Sequence, residues 1–391
     1  MAAQPMRRDV TFVSSGLRCS GWLYTPDSTA EGLHAPAVVM AHGFSGLKEQ
    51  GLDRFAERFV AAGLVTLVFD YRYFGASEGT PRGRLFPADQ IEDYRNAITW
   101  LSEQPEVGAA RIGVWGTSFS GGLVCHLAVF DRRVKAVVAQ VPNVLNYDSR
   151  RAMDPERVDL VAEFLLGDRI ARYKTGEVKY MKVVAPEGEP AILPGQESYD
   201  AFMSLKERAP NWLNGVTLES LEAIREFDPT RYIHLIAPTP LLIVAAEQDS
   251  LTPMHLVTEA FKRAREPKVL VTLPCRHFDV YRNGWFGSGP PASMSLASVR
   301  PIPPNSQTDW HRAPRICLMH SQDGLSTGPI TQPASPQQSG VSPSASRWSS
   351  SPIARPARSS RHPAWRWSTE RFAATCSWTP PCRRTARVSL S

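Results

Sequence analysis

Arg111-Ile112-Gly113-Val114-Trp115-Gly116-Thr117-Ser118-Phe119-Ser120-Gly121-Gly122 carries an apolar run straight into Gly-x-Ser-x-Ser, and Leu123 to Phe130 continues at once as helix-competent text. A buried strand, a one-residue turn and a helix in immediate succession form a nucleophile elbow. Such a turn forces Ser118 into a strained conformation with its hydroxyl exposed above the C-terminal end of the strand. Strand and helix pass so close there that small residues are needed on both sides. Gly116 meets that need, and Ser120 is a small substitute for the usual second glycine. The N–H groups at the start of the helix favour developing negative charge beside Ser118.

Working outward, strand-like and helix-like segments alternate from Met1 to about Phe286, the pattern of an α/β protein. Asp9–Val13 and Arg18–Tyr24 read as an opening hairpin, and Pro36–Ala41 as a short buried strand ending at His42-Gly43. A helix over Leu52–Ala62, a strand over Leu64–Asp70 and a helix over Asp89–Gln104 precede the elbow. Val134–Val141 follows it as a strand. Pro240–Ala246 and Lys268–Leu273 resume the sheet on either side of a helix near Pro253–Ala264. Helices between buried strands imply right-handed crossovers and a mainly parallel sheet. Residues 143–233 break the rhythm with short helical pieces and with Phe164, Tyr173, Tyr180, Tyr199, Phe202 and Trp212. They read as an inserted cap over the active end of the sheet.

A serine hydroxyl needs a base to become a nucleophile, and a carboxylate to orient and stabilise that base. In this strand order the partners follow the serine as an acid and then a histidine. Asp249, at the end of an apolar strand, and His277, in the loop after the last strand, fit those places. Glu247 and Asp279 are the rival acids: the first still lies in the strand register, and the second is too close to His277 to hold the far side of its ring. His42 precedes the nucleophile and belongs to a different motif, while His255 reads as a surface residue. His42-Gly43-Phe44-Ser45-Gly46 is a Gly-rich turn that lets backbone approach a substrate carbonyl. The backbone N–H groups of Phe44 and Phe119 are therefore the expected oxyanion donors. Asp70 to Gly79 reads as a structural loop at the rim.

Together, Ala41-His42-Gly43-Phe44, Asp70-x-Arg72-x-x-Gly75-x-Ser77, Gly116–Ser120, Asp249 and His277-Phe278-Asp279 resemble the α/β-hydrolase fold over about residues 7–286. Arg8-Asp9-Val10, Phe44–Glu49 and Trp115–Gly121 are similar to bacterial relatives of the fungal polyketide-transferase-like hydrolases. The resemblance implies a serine hydrolase that cleaves small-molecule carboxylic esters or thioesters, or an acyltransferase that hands the acyl group to an alcohol or amine. It implies no cofactor and no metal. A dehalogenase would need Asp where Ser118 stands, and nothing appended would select peptides.

From Gly287 the composition changes. Residues 287–391 hold 21 Ser, 15 Pro and 12 Arg, no Lys, and only Asp309, Asp323 and Glu370 as acids. The tail carries a net charge of +9 against +6 for the whole chain, which leaves −3 on residues 1–286. The overall basicity is thus no sign of a nucleic-acid partner. Such text cannot bury enough apolar surface to order itself. Its tryptophans and missing lysines suit a GC-rich gene read in a shifted frame from shortly after Phe286. The helix that normally follows the His loop is absent from the text, so an impaired product is the third expectation. No stretch is long and apolar enough to span a membrane, and Met1–Val10 lacks a signal-peptide core. Cys19, Cys125, Cys275, Cys317, Cys376 and Cys382 show no metal-ligand spacing and read as reduced thiols of a cytoplasmic protein. Oligomeric state is not legible.

Overall fold

The computed structural model describes residues 6–26 and 34–281. The tail from Gly287, its reading frame and Cys317, Cys376 and Cys382 lie outside the described residues. The strands are β1 (Met6–Ser14), β2 (Leu17–Thr25), β3 (Ala35–Ala41), β4 (Val65–Phe69), β5 (Val107–Thr117), β6 (Val134–Gln140), β7 (Tyr180–Met181), β8 (Val216–Thr217), β9 (Leu241–Ala246) and β10 (Lys268–Leu273). The helices are α1 (Leu52–Ala61), α2 (Pro87–Ser102), α3 (Phe119–Phe130), α4 (Tyr147–Met153), α5 (Pro155–Thr175), α6 (Gln196–Ser204), α7 (Leu218–Glu226) and α8 (Met254–Arg263).

Eight strands form one sheet in the order β1-β2-β4-β3-β5-β6-β9-β10. The hairpin β1–β2 and its junction with β4 are antiparallel; every pairing from β4 to β10 is parallel. The buried strands feed both faces because side chains alternate along them. Ala37, Val39 and Ala41 of β3 enter a core shared with Ile91 and Tyr94 of α2 and Leu123 and Leu127 of α3. Val38 and Met40 point the other way, onto Leu52, Ala56 and Phe59 of α1 and onto Trp115. On that second face β10 leaves Val269 exposed and Val271 and Leu273 half-buried.

The insertion departs from the expected short helical pieces. α5 runs for 21 residues. Its local signals are strong: Asp154 caps it by accepting from the Arg157 N–H, Pro155 sits in the first turn, and Gly176 ends it in the left-handed region at φ 73°. The signals hide in the sequence because apolar residues lie on several sides of the helix and give no clean period. Only Leu165 and Asp168 of α5 are buried. β7 and β8 pair as a small ribbon, and the insertion reaches the sheet through α6 and the segments flanking it.

Candidate active site

β5 delivers the chain to Ser118, which adopts φ 54°, ψ −118° between strand and α3. This conformation is strained for a residue with a side chain, and it persists because the surroundings over-determine it. The Ser118 N–H donates to the Gln140 carbonyl at 2.8 Å, and its own carbonyl accepts from the Asn143 N–H at 2.8 Å. A Cβ on Gly116 would stand 2.3 Å from the Ser120 carbonyl oxygen, so strand and helix meet there with no room for a methyl group. Gly43 is similarly tight: a Cβ on it would lie 3.0 Å from the Ser118 Cβ. The loop after β3 is thereby pressed against the elbow.

The three side chains singled out from the sequence come together. Asp249 Oδ2 lies 2.7 Å from His277 Nδ1, and His277 Nε2 lies 3.1 Å from Ser118 Oγ. A carboxylate only accepts, so Nδ1 carries the proton; in the neutral ring Nε2 is then free to accept from the Ser118 hydroxyl. Asp249 and His277 are buried. The Asp249 carboxylate also accepts from the Leu251 and Thr252 N–H groups and from the Thr252 hydroxyl. Burial works to raise its pKa, but the His277 and Thr252 hydrogen bonds outweigh it and hold the group below the usual carboxylate range. Of the rival acids, Glu247 is exposed at the end of β9, and Asp279 turns its carboxylate to the Arg276 N–H and guanidinium.

Phe44 and Phe119 face each other edge-on, with ring centroids 5.8 Å apart. Among the described residues neither backbone N–H has a hydrogen-bond acceptor. Phe44 also lines the pocket at Ser118, with Leu47, Leu52, Phe278 and Tyr281 from the hydrolase core and Leu193, Phe202 and Leu205 from the insertion. His42 takes no part in the Ser118 line. Its Nδ1–H donates to the Gly43 carbonyl at 2.9 Å, its Nε2 has no hydrogen bond and lies 3.9 Å from Asp70 Oδ1, and burial pushes its pKa down to about 4. Cys275 is a buried thiol in a cluster with Val141, Ala246 and Val280, and its pKa is pushed up to about 11 by burial first and by nearby acids second.

Several supports of the site have no signature in the sequence. The Ser120 hydroxyl, buried, bonds to the Tyr71 hydroxyl at 2.7 Å and to the Tyr94 hydroxyl at 2.8 Å. Lys48 donates through both its backbone N–H and its ammonium to Asp70, at 2.8 and 2.7 Å, and this pair braces the loop that carries Phe44. From the insertion, the Trp212 indole N–H donates to the Ser45 carbonyl at 2.9 Å. Trp212 stacks on Phe202 at 5.2 Å, and Phe202 meets Phe278 beside His277. The Tyr281 hydroxyl bonds to Thr117, next to the nucleophile, and the Gln248 N–H bonds to the Cys275 carbonyl, so the loops of Asp249 and His277 are tied together. Phe164 and Tyr173, read as lid aromatics, are exposed on α5 and do not line the pocket.

No group of three or more His, Cys, Asp or Glu side chains among the described residues is placed to hold a metal ion. Among the same residues no helix is long and apolar enough to cross a membrane. A mostly parallel sheet of this order with a serine elbow and an apolar pocket at its C-terminal edge defines an enzyme of the α/β-hydrolase fold. Residues 16–279 match the family described as X-Pro dipeptidyl-peptidase (S15 family), and the chain belongs to that family. It is 35% identical over 245 residues to the quorum-quenching protein AidA of Acinetobacter baumannii, covering 63% of this chain and 79% of AidA. It is 32% identical over 269 residues to the thiohydrolase aneE of Aspergillus aculeatus, covering 66% of this chain and 82% of that one. The crystal structure of the alpha/beta hydrolase GrgF from Penicillium superposes with a TM-score of 0.61 at 29% identity, over 72% of this chain and 93% of GrgF.

Proposed function

We propose that the chain is a serine hydrolase that cleaves carboxylic esters or thioesters through an acyl-enzyme on Ser118. The observation that carries this reading is the hydrogen-bonded line Ser118 Oγ, His277 Nε2, His277 Nδ1, Asp249 Oδ2, opening into an apolar pocket. Ser118 Oγ attacks the substrate carbonyl as His277 Nε2 takes its proton. The negative charge on the carbonyl oxygen is met by the Phe44 and Phe119 N–H groups, and Asp249 stabilises the imidazolium. Collapse of the tetrahedral adduct breaks the bond to the leaving alcohol or thiol, which receives the proton from His277. Water, deprotonated by the same nitrogen, then releases the acid and restores Ser118. Residues 143–233 act as the cap in this reading: Leu193, Phe202 and Leu205 wall the space that an apolar acyl chain would fill.

A relative named thiohydrolase supports the thioester side of the proposal. A second reading, acyl transfer to an alcohol or amine, is favoured by a relative named polyketide transferase, 30% identical over 266 residues. Both readings share the acyl-enzyme and differ only in the acceptor. The described cysteines are unpaired and buried, which supports a reducing compartment, the cytoplasm.

Fluorophosphonate labelling of the full-length chain tests the proposal, with peptide mapping and Ser118→Ala as control. Labelling at Ser118 that vanishes in the control is the expected result. A folded chain that does not label refutes the proposal and favours an impaired product. Product analysis of an acyl thioester with and without an added alcohol or amine then separates hydrolysis from transfer.

A further inference from the structure

Seven of the eight arginines of the insertion fall into two groups, and the eighth, Arg231, lies over the Tyr232 ring. Arg151 pairs with Asp159, Arg169 with Glu222, Arg172 with Asp168, Glu219 and Glu222, and Arg208 with Asp53. Arg150, Arg157 and Arg225 have no such partner among the described residues, although they stand close together. Arg150 lies on α4 with its Nε buried and unbonded. Tyr147, one turn earlier, shares that face of the helix, and the Arg225 guanidinium at the end of α7 lies 6.0 Å from the centre of its ring. Arg157 occupies the first turn of α5, which packs on α4. After burial itself, the charges of Arg225 and Arg157 are what disfavour the Arg150 cation, and no carboxylate offsets them.

Of the neighbouring acids, Glu226 lines one cavity with Tyr147 and Arg225 without forming an ion pair among the described residues, and the others are engaged elsewhere. Asp228 accepts from Asn146 and Thr230, Asp154 accepts from the Arg157 backbone N–H, and Glu222 holds Arg169 and Arg172. A guanidinium whose Nε is buried and unbonded, with two more unpaired arginines on neighbouring helices, is favoured by an anion that joins them, and guanidinium forks match carboxylate and phosphate oxygens. α4 also follows β6, whose last residue, Gln140, accepts from the Ser118 N–H. The Asn143 N–H bonds to the Ser118 carbonyl, and from Asn143 to Arg150 the chain spans at most about 25 Å.

We propose that Arg150, Arg157 and Arg225 bind an anionic group, phosphate or carboxylate, at the far end of the acyl donor whose carbonyl reaches Ser118. The proposal rests on the ester or thioester reading above. It assigns a polar subsite to an enzyme whose acyl pocket is apolar.

The test uses the full-length chain and three thioesters of one acyl group, with a neutral, a carboxylate-ended or a phosphate-ended thiol arm. The expected result is a kcat/KM at least about tenfold higher for a charged arm than for the neutral one, in line with one charge-assisted hydrogen bond. The charged-to-neutral ratio should fall about tenfold in Arg150→Met and in Arg225→Met. The better of the two charged arms identifies the anion. Equal kcat/KM for all three donors overturns the proposal, as does a ratio unchanged by Arg225→Met. Arg157→Met, at an exposed position, and Arg225→Met keep the test open if Arg150→Met fails to fold. Titration of the Ser118→Ala chain with inorganic phosphate and with succinate separates the two ideas. If no donor is cleaved, binding that Arg225→Met abolishes still supports the anion site, and absence of binding overturns it.

Discussion

Charge is handled in opposite ways in the loops beside β3 and β4 and in the helices α4 and α5. In the loops the charged groups are buried and tied. Lys48 and Asp70 share two hydrogen bonds, and Arg72 reaches Asp93 at 2.5 Å while Ser14 donates to the same carboxylate. In α4 and α5 ion pairs such as Arg151–Asp159 are at the surface, Arg150 and Arg157 have no carboxylate partner among the described residues, and Leu160, Phe164, Leu166, Ile170 and Tyr173 are exposed. Buried charges held by several hydrogen bonds favour one geometry, whereas unpaired arginines leave room for a partner.

The sharpest way to break that contrast lies at the elbow. Ser118→Ala should lower kcat by about 10⁴-fold or more with little change in thermal midpoint. A variant that keeps a tenth of its activity would remove Ser118 from the chemistry. Gly116→Ala should destabilise by roughly 3 kcal/mol or more, because its methyl group has no space against the Ser120 carbonyl. Urea unfolding with an unshifted midpoint would contradict this packing.

His42 supplies a pH effect. Its folded pKa of about 4 lies below its unfolded value, so the unfolded chain binds the extra proton and stability drops as pH falls from about 6.5 to about 4. The loss is about 3 kcal/mol over that window, and His42→Asn should flatten it in denaturant titrations at the two ends. A curve just as steep in the variant would assign the slope to other groups. Ser120→Gly should cost about 1–3 kcal/mol by leaving buried phenol hydroxyls short of a partner. Tyr173→Ser is the opposite extreme: the side chain is 92% exposed, and stability should stay within about 0.5 kcal/mol. A larger effect measured by the same unfolding method would mean that α5 is covered in solution.

The sheet and its helices were legible because buried strands and amphipathic helices repeat their apolar residues at fixed periods, as Val38 to Ala41 and Leu52 to Val60 do. Ser118, Asp249 and His277 were legible because each follows a strand in a known order. What escaped were single side-chain bonds across long chain separations. Trp212 meets Ser45, Tyr281 meets Thr117, and Ser120 meets Tyr71, with no period or spacing to announce them. α5 escaped for another reason: its caps were present in the sequence, but apolar residues on several sides masked its helical face. The Asp70–Gly79 loop reads as structural, and its residues bond to Lys48 and Asp93.

The hydroxyl of Ser120 also limits the paths by which this protein can change. Glycine and serine are a small exchange on paper, and the elbow geometry accepts either size. Once Tyr71 and Tyr94 aim their phenols at that oxygen, however, the exchange runs easily in one direction only. A change to glycine costs less once Tyr71 has given way to phenylalanine, because Tyr94 keeps its bond to the Trp115 carbonyl. The order of mutations, more than the sum of them, therefore decides which neighbouring sequences this fold can reach.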